Sequence, residues 1–395
     1  MQRRTLMPLT ALVVAGMVSL AACSSSGDGS SPSQAPAPAQ AEAAGSPVSA
    51  KILVIGDFTS TIPFTLPEIV PMVKGVLRNF PNVSIETCDA KGATAAFLVC
   101  AQRAVTDQVA AVVLGFSAGA ADMSVLTKAN IPIVGNGDAH SPNSYPPAES
   151  FSQYVALGAG LAQTGCTKLG IVYLGGSDFL VDYIKTGFEG KGGQEVARAS
   201  VATNAADLTP AVAKVTGAGA QCVAVSLTPA AAAQAFIALK QSGSSLTIGG
   251  ISAIFSQQVL DSLKSLANGL IVVDVQLNAT DNAPGLTSAA NAMRSVDPKA
   301  PMTQQAVSAF IDAKLLAAAL PKVSGTVTNT SLATALDGLR DVDMGGVIHP
   351  WSTIPVPSQT FSRIFNHYGI NYKIQGGKSV RQGDFYDIGN LLAGK

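Results

Sequence analysis

From Lys51 onward the chain alternates short β-branched and aliphatic runs with longer Ala-rich or amphipathic ones. That alternation limits the fold more than any single motif. KILVIGDF, VSIETC, AAVVLGF and IPIVGNG read as strands, with helices between them over 67–79, 92–108 and 119–129. Spacers of this length suit crossovers between parallel strands, so the pattern predicts βαβ units with helices on both faces of a sheet. A second series opens with KLGIVYL and continues through QEVARASV, QCVAVSL, LTIGGIS and GLIVVDVQL, with helices near 179–190, 209–217, 230–242 and 256–265. Two series predict two doubly wound parallel sheets. The amphipathic run MTQQAVSAFIDAKLLAAALPKV follows the second series and is expected to return to the first lobe, so the chain crosses between lobes more than once.

The first 22 residues read as a secretory leader, with Arg3 and Arg4 before an apolar run from Leu6 to Ala22. Pro8 and Gly16 interrupt that run, and no basic stop-transfer cluster follows, which argues against a permanent span. Leu20-Ala21-Ala22-Cys23 resembles the bacterial lipobox, which predicts acylation of Cys23. Residues 23–50 hold the Cys and then a Ser/Ala/Pro-rich stretch with no aromatic residue, which reads as a flexible tether to an outer membrane face. No other stretch of the 395 residues reads as a span. With 25 basic and 25 acidic side chains and no Lys/Arg run, the sequence offers no electrostatic footprint for nucleic acid.

Lipidation of Cys23 leaves Cys88, Cys100, Cys166 and Cys222, and export makes disulfides the default. Three pairings are possible. Position favours two local bridges, because Cys88 ends one strand beside the helix that carries Cys100, while Cys166 and Cys222 each precede a strand. The alternative is four buried thiols. No CxxC spacing occurs and there are only three histidines, so neither a structural zinc nor a cofactor is expected.

Open α/β sheets take ligands at the C-terminal ends of their strands. Here those loops are 56–61, 115–121, 135–141, 175–179, 226–230 and 249–253, all rich in Gly, Ser or Thr. They include Thr59 and Ser60 after the first strand. Such loops offer backbone N–H groups and hydroxyls to a small polar ligand, or serve only as turns and caps. Gly115-Phe116-Ser117-Ala118-Gly119 also spells the G-x-S-x-G elbow of α/β-hydrolases, in the strand-to-helix context that the elbow requires. A triad needs an acid and then a histidine downstream, however, and His140, His349 and His367 offer no convincing pair. His349 beside Pro350 and Trp351 reads as a packing element, and Asp89 and Lys91 as a helix cap on a solvated face.

Taken in order, Cys88-Asp89-Ala90-Lys91-Gly92 with Cys100, VVLGFSAGA, IPIVGNGDA and KLGIVYLGGSDF resemble the type I solute-binding proteins of the branched-chain amino-acid transport group, over about Lys51 to Asp387. The resemblance implies two lobes joined by a multi-strand hinge: residues 51–163 plus 276–348 in lobe 1, and 164–275 plus 349–395 in lobe 2. It implies a monomer, without catalysis, that closes on a small ligand and delivers it to an ABC permease. It places Ser117 and Ala118 where a ligand carboxylate is taken by hydroxyl and N–H, and Gly137, Asp138 and Ala139 where an ammonium is met. Phe179 lies where an aromatic residue covers the ligand from the second lobe. Thr228 and Ser252 stand where Tyr and an acid often complete recognition, and Ala139 where Thr or Ser is common. Asp138 or Asp178 could supply the missing counter-charge, and the ligand range widens to amides, urea-like compounds and organic acids. A sensor of the same fold and the hydrolase are the rival readings.

Overall fold

The computed structural model describes residues 48–59, 65–120, 122–147, 150–243, 245–358 and 361–394. The leader, Cys23, almost all of the tether and Ser60 lie outside the described residues. Two sheets form the body. The first is built from β1 (Ala50–Gly56), β2 (Val83–Asp89), β3 (Ala111–Leu114), β4 (Ile133–Gly135) and β5 (Ser144–Tyr145), in the order β2-β1-β3-β4-β5 and parallel throughout. The near-continuous aliphatic character of β1 and β3 follows from burial on both faces. Leu53, Ile55, Val112 and Leu114 pack with Phe97 and Ala101 of α2 (Thr94–Thr106), while Ile52, Val54 and Val113 face the main core with Ile69 and Met72 of α1 (Ile69–Val76). The next helix, α3 (Ser124–Lys128), is shorter than the sequence pattern suggests.

The chain then enters α4 (Ser150–Gln163) and the second sheet, built from β6 (Lys168–Leu174), β7 (Gln194–Val201), β8 (Cys222–Ser226), β9 (Thr247–Ile251), β10 (Ile271–Asp274), β11 (Tyr368–Gln375) and β12 (Lys378–Asp387). Its order is β12-β11-β10-β9-β8-β6-β7. Strands β6 to β10 are parallel, linked by α5 (Asp178–Glu189), α6 (Thr209–Gly217), α7 (Pro229–Gln241) and α8 (Gln257–Leu263). The hairpin β11–β12 adds antiparallel strands at one edge, which the sequence pattern did not suggest. The outer strand, KSVRQGDFYD, is largely exposed and polar; its charges suit an unpaired edge and erase the hydrophobic run that signals a strand.

After β10 the chain returns to the first lobe through α9 (Pro284–Arg294), α10 (Gln304–Ala319) and α11 (Asn329–Asp337), and the short α12 (Gly389–Leu392) ends the described body. Helix α10 packs beneath β3 and β4 and is buried on most sides, as expected for the returning segment.

Two lobe limits differ from expectation. Residues 150–163 pack on the second sheet: a β-carbon at Gly158 would collide with the Ile184 carbonyl of α5, and one at Gly160 with Asn371 of β11. Small residues let α4 approach this closely, so the first crossing precedes residue 150. Residues 349–358 and 361–365 stay with the first lobe, because Thr353 Oγ1 donates to the Leu336 carbonyl at 2.7 Å and Arg363 Nε to that of Ser144 at 2.9 Å.

The hinge has three crossings, and one buried side chain joins them. Asn366 Nδ2 donates to the carbonyls of Pro147 (3.1 Å) and Val275 (2.8 Å), while its Oδ1 accepts the Tyr368 N–H at 3.2 Å. Both expected disulfides are present, Cys88–Cys100 with Cα atoms 5.6 Å apart and Cys166–Cys222 with Cα atoms 6.0 Å apart. The second ties the starts of β6 and β8, whose register sets Leu169 opposite Cys222. No helix among the described residues is long and apolar enough to cross a membrane.

Candidate functional site

The strand-end loops of the two lobes are linked by a series of ring contacts. His140, after β4, lies 4.8 Å from Phe361, which stacks on Phe151 of α4 at 4.6 Å. Phe151 in turn lies 5.7 Å from Tyr183 and 6.1 Å from Phe179, both on α5. Ring pairs at these spacings attract beyond their area burial. Ala139 is buried under Val356, Phe361 and Ile364 in a small apolar cluster of its own. Sequence reasoning singled out Phe179 but missed His140, Phe151, Tyr183 and Phe361. Phe361 comes more than 200 positions after Ala139, so no local pattern could place it there.

Most polar groups that the sequence assigns to a ligand are bonded within the chain. The acid that follows β1, Asp57, is fully buried. Its Oδ1 accepts Ser117 Oγ (2.9 Å) and the Gly92 N–H (2.8 Å), and its Oδ2 accepts the Ala118 N–H (2.9 Å). Ser117 and Ala118, expected to take a ligand carboxylate, thus donate to a carboxylate of the chain itself. Sequence reasoning passed over Asp57 although it lies in the first loop, because burial of an acid leaves no trace in periodicity.

Thr59 is engaged next to it. Its N–H donates to Asp89 Oδ2 at 3.1 Å and its hydroxyl bonds the same oxygen, while Phe58 and Lys91 donate their N–H groups to Oδ1 at 3.0 Å each. Desolvation pushes the Asp89 pKa up, but these hydrogen bonds together hold it below the ordinary carboxylate range. Asp89 therefore clasps the β1 and β2 loops and is not the helix cap that the sequence suggests; α2 is preceded by Ala93 at its cap position.

In the third loop the Gly137 N–H donates to the Gly135 carbonyl at 2.7 Å, and Asp138 Oδ1 meets both the N–H and Nδ1 of His140, at 2.9 and 2.8 Å. The Ala139 carbonyl accepts from the Arg363 N–H (3.0 Å) and Ser362 Oγ (3.4 Å), so one carbonyl of the loop expected to meet an ammonium is already used twice.

In the second lobe Tyr173 donates its hydroxyl to Asp178 Oδ1 at 2.7 Å, and this hydrogen bond raises the phenol pKa. Thr228 caps α7 through its backbone and its side chain is exposed without a capping bond. Ser252 hydrogen-bonds Asp274, whose carboxylate also accepts Gln304 Nε2 of α10 at 3.0 Å and the Val275 N–H at 2.7 Å. Ser252 is thus coupled to the hinge. Complete burial pushes the Asp274 pKa up to about 6 against the pull of those bonds.

Both lobes carry partly exposed aromatic side chains. Phe179 is 52% exposed on the second lobe and Phe116, in the turn beside Ser117, is 40% exposed on the first. A separate cavity of about 420 Å³ opens beside the third crossing, lined by His349, Trp351, Phe365, His367 and Tyr368 among others. His349 stacks on Tyr368 at 3.9 Å, the packing role that its sequence context suggests. As for the G-x-S-x-G elbow, the Ser117 hydroxyl donates to a carboxylate, while His140 pairs with Asp138 and His367 with Asp387. That arrangement gives the serine no imidazole base.

A family model described as periplasmic binding protein matches residues 72–362. The chain belongs to the periplasmic binding protein family. No curated protein sequence matches it significantly. Among solved structures this periplasmic binding protein is similar to a leucine-binding protein from Thermotoga maritima, with a TM-score of 0.69 and 13% identity over 86% of this chain and 99% of that one. It is also similar to a solute-binding protein from Rhodopseudomonas palustris in complex with 4-hydroxybenzoate, at 0.70 and 16% over 86% and 97%. A fatty acid transporter substrate-binding protein from Thermomonospora curvata gives 0.69 and 15% over 87% and 96%. These likenesses support the two-lobed α/β fold.

Proposed function

We propose that the chain is an extracytoplasmic, lipid-anchored substrate-binding protein that captures a small ligand between its lobes and delivers it to an ABC permease. It does so as a monomer and without chemistry. The observation that carries this reading is the ring series from His140 to Phe179, which brings strand-end loops of both sheets to one place while Asn366 gathers all three crossings. A ligand contacting both walls favours the closed arrangement by its differential affinity, and a permease that recognises that arrangement reads occupancy. The lipobox-like Leu20-Ala21-Ala22-Cys23 and the Ser/Ala/Pro-rich tether support anchoring at the outer face of the cell membrane, within reach of a permease.

The small-molecule ligands named for the similar structures, leucine, a fatty acid and 4-hydroxybenzoate, set the size range. The test is thermal melting of the purified protein against amino acids, aryl amides and acids, and short fatty acids, because a molecule that binds only the folded state raises the midpoint. A saturable shift without turnover is expected. No shift across the panel, together with ester hydrolysis that Ser117→Ala abolishes, would overturn the reading.

A further inference from the structure

We propose that Asp57 is a resident carboxylate that closes the first lobe's anion hole to ligands, and that the ligand is an uncharged aromatic molecule, such as an aryl amide, rather than an α-amino acid or a carboxylic acid. This rests on the reading that the cleft binds a small molecule. Three donors converge on Asp57 from two segments: the Ser117 hydroxyl and the Ala118 N–H of one turn, and the Gly92 N–H of the loop after β2. Three donors on two oxygens are what a bound carboxylate requires, and here the occupant is covalently part of β1's end, fully buried beneath the loop surface. A ligand carboxylate would have to compete for the same hydrogens and set a like charge against Asp57, which disfavours its ionised form.

Nothing else in these loops replaces the lost site. The loops 56–61, 115–121, 135–141, 175–179, 226–230 and 249–253 hold no Lys or Arg and carry Asp138 and Asp178 besides Asp57; the one cation in the β2 loop, Lys91, is exposed next to Gly92. For an α-amino group, the Ala139 carbonyl already accepts two hydrogen bonds, Asp138 is paired with His140 and Asp178 accepts the Tyr173 hydroxyl. What the two walls offer is ring surface: Phe116 in the same turn as Ser117 and Ala118, and Phe179 at the start of α5, continuous with Phe151. A planar apolar body with an uncharged polar group matches that lining, and a burial of ring against ring needs no counter-ion.

Two measurements test this. First, titration calorimetry of the unaltered protein compares 3-phenylpropanamide with its isosteric acid, 3-phenylpropanoate, and with phenylalanine and leucine. The amide is expected to bind at least about tenfold tighter than any of the three carboxylates. Equal or tighter binding of a carboxylate overturns this inference while sustaining the cleft as a binding site. Binding of none of the four overturns this inference, and the wider melting panel then decides whether the cleft binds a small molecule at all. Second, Asp57→Ala opens a carboxylate-sized hole lined by the three donors. Formate is expected to raise the variant's melting midpoint saturably, with no comparable shift in the unaltered protein; a folded variant indifferent to formate overturns the role of Asp57. If that variant does not fold, the amide-against-acid comparison still decides.

Discussion

Replacing Asn366 by leucine keeps the branch at Cγ and removes the one amide that joins the three hinge crossings. Two buried carbonyls, those of Pro147 and Val275, lose their donor, and the Tyr368 N–H loses its acceptor. Leaving a buried polar group unpaired costs about 1–3 kcal/mol, so the two carbonyls alone predict a loss of roughly 2–6 kcal/mol. At about 2 cal/mol/K per residue, for a body of this size that corresponds to a fall in Tm of roughly 3–8 °C. Asn366→Asp adds a signature that packing loss cannot imitate. A protonated carboxyl can still donate to one carbonyl, whereas a carboxylate facing two carbonyls cannot, so the variant should lose more stability at pH 8 than at pH 4. Urea unfolding followed by fluorescence at both pH values measures the two effects. A leucine variant within about 0.5 kcal/mol of the unaltered protein, in the range of ordinary surface substitutions, would refute the hinge role.

Further outcomes follow from the core. Asp274 has its pKa raised to about 6 by burial, and Asp312, buried on α10 with an unpaired Oδ1, is raised well above its ordinary value by the same cause. The folded state therefore binds these protons more tightly than the unfolded chain; the stability they contribute is full below pH 4 and is lost as pH rises through about 6 for Asp274, a fall of about 3 kcal/mol in unfolding free energy that Asp274→Asn should flatten in a pH-dependent urea series. Asp312→Asn is expected to stabilise the protein at pH 7, and a lower urea midpoint would count against it. Gly158→Ala sets a methyl group against the Ile184 carbonyl where α4 crosses α5, and overpacking of this kind should cost about 1–3 kcal/mol in chemical unfolding. Replacing Cys88 and Cys100 by serine opens a short loop and should cost about 3 kcal/mol, and the longer Cys166–Cys222 loop about 4, compared by thermal melting.

The parallel strands and their helices were legible because their periodicity is local: β6, β7 and α6 fall where KLGIVYL, QEVARASV and 209–217 place them. Both disulfides were legible for a related reason, since each joins neighbouring elements. Hairpin β11–β12 was not, because an exposed edge strand alternates too few apolar residues to stand out. The lobe limits also escaped, since α4 reads as an ordinary helix and only the fit of Gly158 and Gly160 against α5 and β11 assigns it to the second sheet. In the site, the loops were found from strand ends, but their polar groups could not be seen to be already paired. Asp57 meeting Ser117 spans 60 positions, and Arg363 meeting the Ala139 carbonyl spans more than 220; contacts at that separation depend on the assembled fold.

The central claim is that a small molecule bridges the two lobes and draws them together. Small-angle scattering of the purified protein, titrated with whichever molecule of the panel raises its melting midpoint most, tests this directly. The account predicts a radius of gyration that falls saturably with occupancy. An unchanged radius at saturating ligand would contradict it.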